Sequence, residues 1–117
     1  MTERTSEQTL YFGDGEHKLS LTIPLLEELQ ENLDLGPLQL LRRTLDGTWR
    51  VQDVREVIRL GLIGGGMKPL EALKLVERYA SEAYIDDAVP VAFSVIAAAI
   101  SGVDEKGLRF GREPSPA

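Results

Sequence analysis

The stretch that decides the fold is GDGEHKLSLTIPLLEELQENLDLG, residues 13–36. It opens on Gly13-Asp14-Gly15-Glu16, residue types that tolerate the positive φ of a tight turn. It continues with Leu19, Leu21 and Ile23 alternating with Lys18, Ser20 and Thr22. Such alternation puts one face of an extended strand inward. With Leu10, Tyr11 and Phe12 before the turn, the spacing predicts a hairpin of residues 10–12 and 18–23. A lone hairpin is marginal in water, so helices must cover its apolar face. Pro24 opens the first of them, because proline at the first helical position gives up a donor that would go unpaired anyway. Leu26, Leu29 and Leu33 form its stripe, and Glu27, Glu28, Glu31 and Asp34 its solvated faces.

Working outward, Gly36 stops that helix and Pro37 starts the next, with Leu38, Leu41 and Leu45 as its apolar stripe. Asp46-Gly47 is a turn. Trp49 and Val51 lead into a third helix with Val54, Val57, Ile58 and Leu62 inward. Gly64-Gly65-Gly66 ends it as a stop and flexible joint, and Pro69 opens a fourth carrying Leu70, Leu73, Val76 and Ala80. Asp86 is the expected N-cap of a last helix, with Pro90 in its first turn. From 88 to 100 only Pro90 and Ser94 interrupt the apolar residues. A helix apolar all round is normally enclosed, so this segment is the expected centre of the core. The expected fold is α+β and mostly α: an N-terminal β-hairpin packed on a bundle of four to five helices. Residues 1–7 read as a disordered polar arm, 8–103 as a single domain, and 104–117 as a flexible tail.

Composition narrows the function classes. The absence of cysteine removes disulfides, thiolate metal sites and a cysteine nucleophile. The net charge of −6, with Arg42-Arg43 the only adjacent basic pair, opposes binding to nucleic-acid phosphates. The polar start carries no apolar signal-like stretch, and the run 89–100 falls well short of a bilayer span of about 20 residues. Neither membrane nor nucleic acid is expected as a partner.

Few residues invite chemistry. Gly64-Gly65-Gly66 runs into Met67-Lys68-Pro69, not into the Lys-Ser/Thr pair of a phosphate-cradling loop. His17 is the only histidine, with no evident nucleophile or ligand set beside it. The acidic residues 27–34 and Asp86-Asp87 suit a solvated helix face and a helix N-terminus. No nucleophile, base and stabiliser converge, so the chain reads as a binding protein without catalytic, metal or cofactor residues. Trp49 suits either packing over the core or anchoring a partner, and the same holds for the tyrosines. Tyr11, Trp49 and Tyr84 are the candidate partner contacts.

Taken in order, four segments carry a resemblance: the hairpin and helix of residues 13–36, then WRVQDVREVIRLGLIGGG (49–66), MKPLEALKLVERY (67–79) and VPVAFSVIAAAISG (89–102). Over residues 9–102 the chain resembles the tail assembly chaperones of gene transfer agents and phages, whose members have also been labelled tail-tube proteins. Lys68 departs from the Ser, Thr or Asp cap expected before the fourth helix. The resemblance implies a cytoplasmic protein of the bacterial host, acting in tail morphogenesis of a phage, prophage or gene transfer agent. It implies a non-enzymatic protein that binds the tape-measure protein and keeps it soluble until tube subunits polymerise around it. It transfers no site residues. Homo-oligomerisation through exposed apolar patches is expected as well. The alternatives are a structural tube or connector component of the particle and an unrelated helical adaptor domain.

Overall fold

The computed structural model describes residues 4–104 and 107–108. The elements run β1 (Gln8–Phe12), β2 (Gly15–Leu19), α1 (Ile23–Leu33), α2 (Pro37–Asp46), α3 (Val51–Gly64), α4 (Pro69–Tyr79) and α5 (Ile85–Ser101). A second short hairpin follows, β3 (Val103–Asp104) with β4 (Gly107–Leu108). The architecture is α+β and mostly α, an N-terminal hairpin on five helices. No helix among the described residues is long and apolar enough to cross a membrane.

β1 and β2 pair antiparallel from Gln8↔Leu19 to Phe12↔Gly15. The turn is therefore the two residues Gly13-Asp14, with Gly13 at φ 69°, as a two-residue hairpin turn with glycine first requires. The second strand is Gly15–Leu19 and not 18–23. Leu21 is buried, but it lies in an extended link outside the ladder, and Ile23 begins α1 exposed to solvent. The alternation past Leu19 has a different cause from strand pairing. Leu19 and Leu21 enter the core while the Ser20 N–H, between them, donates to the Gly61 carbonyl of α3 at 2.9 Å.

That link explains the glycines of α3. A Cβ at Gly64 would collide with the Ser20 carbonyl, and one at Gly65 with the Lys18 carbonyl. A Cβ at Gly61 would press on Val95 at 3.1 Å and Leu19 at 3.3 Å. The triplet ends the helix as expected, but its first two members also let two backbones touch, which a mere flexible joint would not require.

α3 is the most enclosed element. Asp53, Val54, Val57, Ile58, Leu60, Gly61 and Leu62 are all buried, where α1, α4, α5 and β2 pack against it. α5 shares the core through Ala88, Ala92, Val95, Ile96, Ala97 and Ala98, and its alanines let neighbouring helices approach closely. It is not enclosed all round, because Pro90 and Ile100 are exposed and Val89, Val91 and Ala99 are half-buried. Its N-cap position is Tyr84, without a side-chain cap, and Asp86 and Asp87 lie in the first turn. Pro90 is the sixth helical residue, one turn later than expected, and removes the donor that would reach the Asp86 carbonyl.

Two stripes shift from their expected rows. In α2 the buried residue is Leu40, while Leu38 and Leu45 face solvent and Leu41 is half-buried. In α4 Ala72, Val76 and Ala80 are buried, and Leu70 and Leu73 are exposed. Thr5, read from the sequence as part of a polar arm, exchanges both backbone hydrogen bonds with Val103, at 3.0 and 2.8 Å. The tail expectation for 104–117 lies almost wholly outside the described residues.

Candidate partner-binding groove

Two of the three candidate contact residues, distant in sequence, meet at one end of the molecule. The hairpin tip, the end of α4 and the start of α5 enclose a groove of about 380 Å³. Tyr11, Phe12 and Gly13 line it from the hairpin and Tyr79 from α4. Tyr84, Asp87, Ala88 and Val91 complete it.

Local sequence sets each wall. Phe12 is buried at the last paired position of β1, and its neighbour Tyr11 stays 68% exposed. The Tyr79 ring stands edge-on to Phe12, with centroids 6.3 Å apart and planes at 78°. It also lies so close over Gly13 that a Cβ there would enter the ring. The Arg78 guanidinium is 5.8 Å from the Tyr79 centroid but does not line the groove. Tyr84, 52% exposed, follows Ala83, which holds the left-handed φ of 71°. That conformation costs an L-residue about 1–2 kcal/mol.

The open end of the hairpin, away from its tip, is tied to α5 and closed on itself. Gln8 Nε2 donates to the Ser94 carbonyl of α5 at 2.7 Å, and the Ser6 and Ser20 hydroxyls are 2.7 Å apart. The groove is thus aromatic, apolar along Ala88 and Val91, and carries a single ionisable carboxylate, that of Asp87.

Trp49 is elsewhere. It is half-buried and packs against the core between α2 and α3, outside the groove lining. His17 Nε2 lies 2.8 Å from Asp14 Oδ1 at the hairpin turn. A second groove, of about 360 Å³, runs between α3 and α4 past Val51, Arg55, Arg59 and Leu73. There Arg59 is engaged by Glu56, its Nε donating to Oε1 at 2.6 Å. Among the described residues no three histidine or carboxylate side chains converge as a metal site would need.

The family model described as "Phage tail tube protein, GTA-gp10" matches residues 5–102, most of the chain. The chain belongs to this family. No curated protein and no solved structure matches it. Membership in the phage tail and gene transfer agent family assigns a tail-related role and points to other tail proteins as partners. The matched span of this tail-family domain contains both hairpin strands, all five helices and every residue of the aromatic groove.

One constellation in this tail-family domain was missed from the sequence. Asp53 is fully buried and accepts the Arg50 backbone N–H at 2.8 Å through Oδ2. Arg50 Nε and Nη2 donate to Oδ1 at 3.2 and 3.0 Å, and Arg43 Nη1 reaches Oδ2 at 3.3 Å. The same Arg50 Nη2 donates to the Leu33 carbonyl at 3.1 Å. One carboxylate therefore ties the end of α1 and the body of α2 to the start of α3. Its signal was present, an acidic residue at the third helical position that closes back on the N-cap N–H. The geometry gives the cluster a structural role, joining three helices through one buried carboxylate.

Proposed function

We propose that this protein is a non-enzymatic tail assembly chaperone of the bacterial cytoplasm that binds the tape-measure protein during tail morphogenesis. A long, largely helical client needs apolar surface and reversible contact, not chemistry. The aromatic groove offers the first, gathering two exposed tyrosines beside Ala88 and Val91. Its lining presents tyrosine hydroxyls and one carboxylate, with no nucleophile and base paired for turnover.

The family's own description favours a second reading, a tube subunit of the particle. The strand inventory supports the chaperone reading. Among the described residues strands occur only in two-stranded hairpins, and the longest has five residues. The first hairpin packs on the helices, β1 near α5 and β2 near α3. A tube closed by β-structure needs enough strand to close a ring, and short two-stranded hairpins supply little. Quantitative mass spectrometry of purified particles tests the choice. A chaperone is scarce or absent there and abundant with tape-measure protein in lysates of assembling cells. Recovery from particles at the copy number of a tube ring would overturn the chaperone reading.

A further inference from the structure

We propose that the aromatic groove takes a lysine or arginine side chain of the client polypeptide, held by the exposed rings of Tyr11 and Tyr84 and paired with Asp87. The inference rests on the groove being a client-binding surface and adds the chemistry of what enters it. Four of the chain's seven aromatic side chains, Tyr11, Phe12, Tyr79 and Tyr84, converge there. Aromatic faces carry the negative part of the ring quadrupole and attract a cation within about 6 Å. Asp87 is the only charged side chain in the lining, and no ion pair engages it among the described residues.

The charge decides between occupants. A wholly apolar client segment would strip water from the Asp87 carboxylate and give it no partner, which is costly. An acidic segment would be repelled by Asp87 and by the neighbouring Asp86 and Glu82, on a chain of net charge −6. A basic side chain satisfies both demands. Its methylene stem can lie along Ala88 and Val91 while its head meets the rings and the carboxylate.

The test uses two fluorescent helix-forming alanine–leucine peptides that differ at one central position, lysine in one and norleucine in the other. The full chain is expected to bind the lysine peptide about tenfold tighter, in the range cation–π contact and a partly desolvated ion pair supply. Asp87→Asn should abolish that preference and Tyr84→Ala should reduce it, with circular dichroism unchanged because both side chains are exposed. The amide signals of Gly13 and Ala88 should shift on binding. Equal or tighter binding of the norleucine peptide at the groove would overturn the cation inference while leaving a client surface in place. A groove that binds neither peptide, with Tyr84→Ala still retaining tape-measure protein, would overturn the inference and leave the chaperone reading standing.

Discussion

The Tyr79 ring covers Gly13 so closely that a Cβ on the glycine would collide with the ring's Cδ2. The contact joins sequence-local chemistry to the groove. A turn that needs positive φ at its first position selects glycine, and the bare backbone then lets an aromatic ring close over it. Gly13→Ala should therefore lose stability twice, by about 1–2 kcal/mol from the left-handed backbone and about 1–3 kcal/mol from displacing the ring. Urea denaturation checks this against Gly15→Ala, where a Cβ meets nothing within 4 Å and the loss should be far smaller.

The same reasoning gives a sharper result at the end of α3. Gly64→Ala and Gly65→Ala both drive a methyl into backbone carbonyl atoms, which cannot swing aside as a side-chain tip can. Each should destabilise by about 3 kcal/mol, the upper range for overpacking, and should weaken protection of the Ser20 amide against hydrogen exchange. A glycine run acting only as a flexible joint would tolerate alanine with a small change.

Asp53→Ala leaves the Arg50 N–H without its acceptor and strands two guanidinium groups around a cavity. The unmet N–H and the lost charge-assisted bonds should cost about 1–3 kcal/mol, because both guanidinium groups keep access to solvent. Arg43→Met should cost much less, because Arg50 still satisfies the carboxylate and the Arg43 side chain remains partly solvated. A double-mutant cycle of these two changes should return a coupling of about 0.5–3 kcal/mol. Strict additivity would remove Arg43 from the account.

Much of the fold was legible because its signals are local. The turn glycine, the prolines opening α1, α2 and α4, and the period of Val54, Val57, Ile58 and Leu62 each fix an element without knowledge of the rest. What escaped depends on contacts between elements. Leu38, Leu41 and Leu45 lie on a helical row as regular as any through Leu40, and only packing against α5 buries the latter. The strand boundary at Leu19 is set by the Gly61 carbonyl of α3, far along the chain, which no alternation can announce. Tyr11 and Tyr84 read from the sequence as candidate partner contacts. Their meeting with Tyr79 and Asp87 in one groove was not, and neither was the separation of Trp49 from them.

Asp46 provides a pH-dependent check on the α2–α3 turn. The Thr48 hydroxyl donates to its carboxylate, the Thr48 N–H adds a second bond at 3.0 Å, and Arg43 is close enough to add a weaker attraction. These favour the ionised form and hold the Asp46 pKa below the ordinary aspartate value. A carboxyl depressed on folding stabilises the native state above its unfolded pKa and loses that contribution as pH falls through the folded one. Carboxyl-carbon NMR titration should find the low pKa, and Thr48→Val should raise it toward the ordinary value. No change in that variant would place the cause elsewhere.

The most direct test of the central claim is co-expression of this chain with the tape-measure protein of the same tail. The account predicts that the tape-measure protein stays in the soluble fraction and co-purifies with the wild-type chain, and that Tyr11→Ala combined with Tyr84→Ala greatly reduces both. A tape-measure protein that remains insoluble and unbound beside a folded wild-type chain would contradict it.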